Sequence, residues 1–534
     1  MHRMKRASIL SLLVCGVLSL LPGLLGGGSA TAAETPKKMQ IACNLWAFAD
    51  WATDLPFVDA MKTCRPWRTI DADKPLDYYP DLADVPVDEN GYPLELPYSD
   101  GKRPPQRVFT ITLVSLPKEM YPNGKFTLLF EGKGEIRLGW DGGNRSVEGK
   151  GGTTKYEFDV NITKDFDGKP GSSGAGMIVD IPRSEKGDHI RNIRLIMPGF
   201  VDTYEKQPFH PLFLEMVKPF CSLRFLDWIG PYDVRKVKWS KRTKKDAFSQ
   251  QAGGVAYEYM IDLCNMLNLD PWITVPYRAD EEYQRELAKL IHAQLKPGLK
   301  VYVEWSDEMW NGFQPVSYKY SADMGSRVLK LDSDWEKGNF KYNVYASLQM
   351  FKIFDDVFKN DRKRYVKTLS VQPGKVAKIT LDALSDPKIN PDGVKIDAAA
   401  VGPYFGFVDA GKTEEVLKQI AASAVEEVAK MKELRQLADE AGVDLTSYEA
   451  GSATGNTAAS RHPEMYYIYR DFLDGIAPYV TMFNQYTIYG RGGKWGAKEY
   501  VNQPLSQTPK YRALVDYING VPAPKRPAAE EPKK

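Results

Sequence analysis

From residue 209 onward the chain alternates short apolar segments with longer amphipathic ones, and this alternation restricts its fold more than any other feature. Such an alternation of strands and helices is typical of a parallel α/β structure. An eighth strand-like segment lies far upstream, around Ile41. Eight strands with helices between them predict a (β/α)8 TIM barrel. The downstream strands are predicted at 222–228, 271–277, 301–305, 366–372, 397–405, 444–451 and 479–486, and the main helices at 255–267, 280–295, 339–358, 413–441 and 465–476.

A different pattern fills the chain between the first and second predicted barrel strands. Pro and Gly separate short runs in which apolar and polar residues alternate, a pattern typical of a β-sandwich. We therefore predict a discontinuous barrel over 39–67 and 206–520, with an inserted β-sandwich at 68–205. The inserted part is expected either to bind carbohydrate or only to support the barrel.

The two ends of the chain are predicted to lie outside the folded domains. Basic residues, an apolar run and then small residues predict a signal peptide over 1–33, and hence a secreted or periplasmic protein. A membrane anchor is the alternative, but the apolar run is short and is broken by Pro22. No stable membrane insertion is expected after processing. The Pro-, Lys- and Glu-rich tail at 521–534 is predicted to be disordered.

Composition excludes several classes of partner. The 71 basic and 69 acidic residues give a net charge of +2, which provides no electrostatic basis for nucleic-acid binding. No His or Cys pair has ligand spacing, so neither a metal nor another cofactor is expected. No apolar surface stripe argues for an oligomer, and a monomer is expected. The pairing of the four cysteines that remain after the signal peptide stays open: Cys43, Cys64, Cys221 and Cys264.

Two of the predicted barrel strands end on carboxylates. Asp307 and Glu308 follow the fourth strand, and Glu449 follows the seventh. Residues at the carboxyl ends of barrel strands form the active site in this fold. Two carboxylates on opposite sides of a barrel mouth suit glycoside hydrolysis, in which one protonates the leaving oxygen and the other attacks the anomeric carbon or activates water. The alternative for any single Glu is a solvated loop carboxylate.

The segments at 302–311 and 447–451 resemble those of clan A retaining glycoside hydrolases, and the likeness covers the predicted barrel. The complete chain also resembles a secreted barrel family that is common in planctomycete-type bacteria. The resemblance implies that Glu308 is the general acid/base and Glu449 the nucleophile. It also implies that Arg224 orients the nucleophile. The alternative for Arg224 is a structural ion pair with Asp227 or Glu304.

The same resemblance implies substrate-binding roles for several aromatic residues. Tyr404 fits a phenol that contacts the nucleophile, and Trp495 fits a platform for the sugar ring. Trp310 and Tyr277 are weaker platform candidates. Both tryptophans have the alternative of being ordinary core residues.

One position departs from the clan pattern. The clan usually has Asn immediately before the acid/base, where its amide contacts the sugar 2-hydroxyl, whereas this chain has Asp307. An ionised carboxylate cannot donate a hydrogen bond, and its charge would raise the pKa of the neighbouring Glu308. The departure suits an acid catalyst, a different substrate or a site that has lost activity.

Two functions follow as hypotheses. The first is a secreted retaining glycoside hydrolase that cleaves a polysaccharide or oligosaccharide by double displacement. The alternative is a non-catalytic barrel protein that binds glycan. The loops at 312–335 and 406–413 are expected to decide whether the cleft is open or closed at one end.

Overall fold

The computed structural model describes residues 38–75, 84–169, 172–230, 238–251, 253–331 and 335–527. The predicted signal peptide lies outside the described residues, as does the tail from 528 onward. Residues 521–527 have neither helix nor strand, and Arg526 forms ion pairs with Glu464 and Asp471. The disorder predicted for the tail stays a prediction.

Eight parallel strands form the barrel. The first seven pair with one another in chain order, and the eighth pairs with the first. The ring closes between the last two strands, where the Thr481 amide donates to the Leu445 carbonyl at 2.9 Å and Ala450 bridges Gln485. The predicted (β/α)8 barrel is therefore confirmed by the strand pairing. The strands, numbered one to eight below, are Gln40–Asn44, Ser222–Arg224, Asp270–Val275, Val301–Trp305, Tyr365–Ser370, Ala398–Val401, Asp444–Ser447 and Met482–Gln485.

Helices follow the strands around the barrel. The helix Glu281–Gln294 shows why such segments are helical: Asp280 caps it by accepting from the Tyr283 amide, and its apolar residues are spaced to face the core. The other α-helices are Pro211–Val217, Leu226–Ile229, Tyr257–Leu267, Pro315–Leu329, Trp335–Val357, Lys375–Asp382, Thr413–Glu440, Thr457–Arg461, Glu464–Ile476 and Pro509–Ile518. Single 3₁₀ turns lie at Ala60–Thr63, Trp239–Lys241, Arg362–Arg364, Ala383–Ser385, Arg491–Gly493 and Leu505–Gln507.

Several predicted strands are longer than the observed ones, and one predicted loop contains a helix. The strand predicted at 222–228 ends at Arg224, because the chain turns into the short helix Leu226–Ile229. The segment predicted as a loop at 312–335 contains the helix Pro315–Leu329, which begins with Pro at a first-turn position. This helix packs on Trp335–Val357, and such tertiary packing is not visible in the local sequence.

The inserted segment forms an antiparallel sheet. Its six strands all lie between the first and second barrel strands in the chain. They are Arg68–Asp71, Gln106–Thr112, Gly124–Trp140, Arg145–Val160, Met177–Ser184 and Arg191–Ile196. Because all six join one hydrogen-bonded sheet, the pairing does not by itself demonstrate two layers. The sandwich and the domain boundaries stay predictions.

The barrel interior changes character along its axis. One buried cluster inside the ring combines large aromatic and small side chains: Ala42, Trp272, Tyr302, Ala400, Tyr448 and Met482. At the carboxyl ends of the strands, buried charged and amide side chains replace them, among them Arg224 and Glu304. Buried charges require partners, so this end of the barrel is where polar contacts are concentrated.

Three further observations apply to the described ranges. Their four cysteines are all unpaired. No group of three His, Cys, Asp or Glu side chains in these ranges is arranged to hold a metal ion. No helix in these ranges is long and apolar enough to cross a bilayer.

Candidate active site

A cleft of about 810 Å³ opens at the carboxyl ends of the barrel strands. Glu308 and Glu449 both line it, together with Asp307. The other lining residues are Leu226, Asp227, Trp310, Asn311, Gly312, Phe313, Gln314, Gln372, Pro373, Gly402, Tyr404, Phe407, Tyr448, Tyr486 and Trp495. The tertiary fold therefore brings the two predicted catalytic glutamates into one cavity.

Arg224, the last residue of strand two, lies at the base of this cleft and is 0% exposed. Its Nη1 donates to Glu449 Oε1 at 2.7 Å and to Asn44 Oδ1 at 3.0 Å. Its Nη2 donates to Asp307 Oδ1 at 3.2 Å. Both Nε and Nη2 donate to the carboxylate of Glu304, at 3.0 and 3.2 Å. A rigid guanidinium thus holds three carboxylates in fixed positions.

Glu304 is the structural partner of Arg224. It is fully buried in strand four, and it also accepts hydrogen bonds from Trp272 Nε1 at 2.8 Å and from the Ser370 hydroxyl. Burial raises the pKa of Glu304, while the charge of Arg224 opposes that shift. Arg224 therefore contacts Glu449, as the resemblance implied, and also forms the structural ion pair with Glu304 that was the alternative.

Glu449 follows strand seven and receives the strongest donors in the cleft. Oε1 accepts from the charged Arg224, and Oε2 accepts from the Tyr404 hydroxyl. Tyr404 is positioned by the short strand Tyr404–Phe405, which pairs in parallel with Gly451–Ser452. Hydrogen bonds to the ionised form stabilise it, and an opposite charge stabilises it further. These contacts favour a carboxylate at Glu449.

Glu308 follows strand four and has only neutral donors. Tyr448 donates to its Oε1 at 2.6 Å, and Asn311 Nδ2 donates to its Oε2 at 2.7 Å. The backbone of Glu308 has a φ of +31°, in the region that residues other than glycine rarely adopt. Such a conformation costs about 1–3 kcal/mol and is concentrated at functional sites.

Two causes raise the pKa of both glutamates. Burial raises the pKa of both, and the charge of Asp307 raises both further. Arg224 opposes the rise at both, but it is in direct contact only with Glu449. The contrast between the two groups therefore lies in their donors: Glu449 accepts from a guanidinium and a phenol, and Glu308 only from neutral groups.

Asp307 occupies the position where the resemblance led us to expect Asn. Its Oδ1 accepts from Arg224 and its Oδ2 accepts from Gln314 Nε2 at 3.0 Å. Both oxygens therefore have a donor, and the carboxylate is held as part of the charged base of the cleft.

The predicted aromatic platforms differ in position. Trp495 lines the cleft with its ring centroid 5.1 Å from that of Tyr404. Trp310 also lines the cleft, but it is only 6% exposed and stacks on Phe340, as a core residue would. The platform role suggested for Tyr277 is not supported, because Tyr277 is buried against Tyr320 and is not among the residues that line the cleft.

Sequence reasoning missed several residues of the site. Asn44 donates to the Tyr448 carbonyl at 2.9 Å and so connects strands one and seven at their ends. Tyr448 and Asn311 bind Glu308, and their proximity to the glutamates in sequence was an available signal. Two others, Phe313 and Phe407, lie in loops and carried no recognisable pattern.

No family model and no curated protein matches the chain. Several solved structures resemble it weakly. A family 51 arabinofuranosidase from Xanthomonas axonopodis pv. citri is 13% identical over 58% of this chain and 66% of its own length, with a TM-score of 0.39. The chain thus spans just under two thirds of that protein.

Two further structures resemble the chain to a similar degree. The linked CBM22-1 and GH10 modules of an endo-1,4-β-D-xylanase from Clostridium thermocellum are 11% identical, over 88% of this chain and 97% of theirs, with a TM-score of 0.35. A β-glucosidase from Thermotoga maritima is 10% identical, over 60% of this chain and 87% of its own, with a TM-score of 0.36. Likenesses of this strength carry no argument about activity, and the barrel assignment rests on the strand pairing.

Proposed function

We propose that the protein is a retaining glycoside hydrolase that cleaves glycans with Glu449 as nucleophile and Glu308 as general acid/base. The observation that carries the proposal is the contrast between the two carboxyl groups. Glu449 accepts from a guanidinium and a phenol, whereas Glu308 accepts only from neutral donors and lies beside Asp307. Environments that separate the pKa values of two carboxyl groups assign one as acid and the other as nucleophile.

In the first step, the carboxylate of Glu449 attacks the anomeric carbon while Glu308 gives its proton to the leaving oxygen. This forms a covalent glycosyl-enzyme and releases the leaving group as an alcohol. Arg224 holds Glu449 Oε1, and Tyr404 holds Oε2. These two contacts fix the orientation of the nucleophile before substrate enters.

In the second step, Glu308 is ionised and takes a proton from water as the water attacks the anomeric carbon. The bond to Glu449 breaks, and the carboxylate returns to its contacts with Arg224 and Tyr404. Glu308 regains its proton, so the enzyme is ready for another cycle. No cofactor takes part in either step.

The cleft wall supports a substrate longer than one sugar. Phe313 is 97% exposed and Phe407 is 67% exposed, and both line the cleft. Exposed aromatic faces of this kind can stack on the apolar faces of sugar rings. We place Phe313 on the leaving-group side, because it follows the proposed acid Glu308 by five residues in the chain. Phe407 contacts the Trp495 ring.

The experiment that tests the proposal begins with release of reducing ends from xylan, arabinan, mannan, β-glucan and chitosan. For any substrate that is cleaved, proton NMR of the first product gives its anomeric configuration, and retention is expected. A 2-deoxy-2-fluoro glycoside of the same sugar should inactivate the enzyme and label Glu449. Inversion, or a label on another residue, would contradict the mechanism.

A second candidate is a glycan-binding barrel that does not catalyse. The observation in its favour is that Tyr448 and Asn311 already donate to the two oxygens of Glu308, so these contacts compete with a leaving group for the carboxyl group. Retardation in affinity electrophoresis by one of the same polysaccharides, without release of reducing ends, would favour this candidate.

We also propose that the protein acts outside the cytoplasm, because residues 1–33 have the composition of a signal peptide. Expression of the full chain, followed by N-terminal sequencing of the exported form, tests this. Cleavage near Ala32 or Ala33 is expected. A product that retains Met1 and stays in the cytoplasm would overturn it.

A further inference from the structure

Asp227 is a carboxyl group of the cleft that the proposed mechanism does not use. It lies in the helix Leu226–Ile229, three residues after Arg224, and it lines the cleft beside Asp307. Its Oδ2 is buried and accepts no hydrogen bond from any residue that the structure describes. The Asp227 side chain as a whole is half-buried at the cleft wall. A carboxyl group without a donor is unfavourable there, so a donor that a ligand brings to it would be stabilised.

The charge of the surrounding wall indicates what kind of donor fits. Four carboxyl groups line the cleft, namely those of Asp227, Asp307, Glu308 and Glu449. None of the described lining residues is Lys, Arg or His. Arg224 lies beneath the wall and is fully buried, with hydrogen bonds to three carboxylates, so it presents no free face to an acidic sugar.

From this arrangement we infer that the cleft binds a sugar that carries a protonated amine, with Asp227 as the acceptor of its N–H groups. The substrate class is thus a glycan with free amino groups, such as one built from unacetylated 2-amino sugars. Uronic acids and sulfated sugars would be repelled by the same wall. This inference rests on the proposed function only for the statement that the bound glycan is then cleaved.

A bound ammonium group would also offset the cost of ionising Asp227. Burial, with a smaller contribution from Asp307, raises the pKa of Asp227 from 3.8 to about 7, although Arg224 opposes the shift. An ammonium group placed against the carboxyl would favour its ionised form. Asp227 is a specificity-determining residue in this scheme, and it takes no part in the bond cleavage.

The experiment compares three hexasaccharides of similar length: the glucosamine hexamer, the N-acetylglucosamine hexamer and the galacturonic acid hexamer. Affinities for the wild-type protein are measured by calorimetry, and reducing ends are measured in the same samples. The glucosamine hexamer should bind at least about tenfold more tightly than its acetylated form, as expected for one charge-assisted hydrogen bond. The galacturonic acid hexamer should show no binding.

Two variants test whether Asp227 is the source of the preference for the free amine. Asp227→Asn keeps the size of the side chain and should remove most of the tenfold preference for the free amine. Asp392→Asn, which removes an exposed carboxylate paired with Lys352, should leave it unchanged. A thermal melt identifies any misfolded variant. Independently of the variants, the preference of the wild-type protein should weaken as salt is raised.

The outcomes separate this inference from the proposed function. Equal affinity for the two glucosamine-based hexamers, tight binding of the galacturonic acid hexamer, or an unchanged preference in Asp227→Asn would overturn the inference. Cleavage of a neutral glycan, with no preference for free amines, would overturn the inference but would still agree with the proposed hydrolase function. Preferential binding of the glucosamine hexamer without any cleavage would support the inference and count against the hydrolase.

Discussion

The carboxyl ends of strand four and strand seven each present a glutamate to the same cleft, but they surround it differently. At strand seven, Glu449 is held by the charge of Arg224 and by Tyr404. At strand four, Glu308 is held by the neutral groups of Tyr448 and Asn311, and its backbone has a left-handed φ. Two identical side chains are therefore placed in different environments by their neighbours.

The difference teaches that a few fixed donors can give two carboxyl groups of one cleft different environments, and the proposed acid and nucleophile roles depend on that difference. Arg224 is the centre of this arrangement, because it contacts Glu449 directly and reaches Asp307 but not Glu308. The five expectations below test the contrast between the two strand ends.

Glu449→Gln should have the largest effect. The amide cannot form the glycosyl-enzyme, so turnover should fall about 10⁴-fold or more, as for other enzymes that lose a nucleophile. The measurement is kcat/KM on the substrate found in the polysaccharide screen. Glu427→Gln provides a control, because Glu427 is an equally buried glutamate that lies in a helix and pairs with Lys430. Comparable losses in the two variants would show a folding defect and not the loss of a nucleophile.

Arg224→Met should destabilise the protein by about 3–5 kcal/mol, because it leaves Glu304, Asp307 and Glu449 buried without a cation. Urea denaturation measures the free energy of unfolding. As a control, Arg461→Met removes an exposed ion pair with Glu499 and should cost less than about 1 kcal/mol. Similar losses in both variants would contradict the central role of Arg224.

Glu308→Gln should reduce kcat/KM by about 10²–10⁴-fold on natural glycosides, the usual contribution of general acid catalysis. Bond cleavage in dinitrophenyl glycosides should be affected far less, because that leaving group needs no proton. Added azide should then form a glycosyl azide with the anomeric configuration of the substrate. Equal losses on both kinds of substrate would assign the acid to another residue.

Two substitutions beside Glu308 should move the pH profile in opposite directions. The acid must be protonated, so the alkaline limb of kcat/KM reports the pKa of the pair that includes Glu308. The charge of Asp307 raises the pKa of Glu308, so Asp307→Asn should move that limb to lower pH. The hydrogen bond from Tyr448 lowers this pKa, so Tyr448→Phe should move the limb to higher pH.

A buried tyrosine far from the glutamates provides the control for that pair. Tyr257 forms a hydrogen bond with Tyr283 between two helices, so Tyr257→Phe should leave the alkaline limb in place. A shift of the same sign in Asp307→Asn and Tyr448→Phe would contradict the assignment of Glu308 as the acid.

Phe313→Ala should have the smallest effect, about a two- to tenfold rise in KM for oligosaccharides, as expected for the loss of one aromatic contact. Glycosyl fluorides have no leaving-group sugar, and their hydrolysis should be unchanged. As a control, Val316→Ala removes another exposed apolar side chain, on the helix beyond the cleft. It should change neither the KM for oligosaccharides nor the hydrolysis of glycosyl fluorides. A loss on glycosyl fluorides would remove Phe313 from the leaving-group side.

The strands were predictable because each one is marked by a short run of apolar and β-branched residues in the local sequence. Each of the eight predicted segments overlaps a barrel strand, and the residues that follow strands four and seven lie in the cleft as expected. The helix Pro315–Leu329 was missed because its stability depends on packing against Trp335–Val357. Tyr277 and Trp310 were chosen by residue type, which does not reveal that both are buried.

The sequence alone determined the number and order of the strands and the two glutamates at their ends, because hydrophobic periodicity and residue type can be read from short segments of the chain. The tertiary structure decided which donors surround each glutamate. These donors are Arg224, Tyr404, Tyr448 and Asn311, which belong to four different parts of the barrel mouth. The structure also decided that Asp227 faces the cleft without a donor, because burial and hydrogen bonding are set by residues distant in the chain.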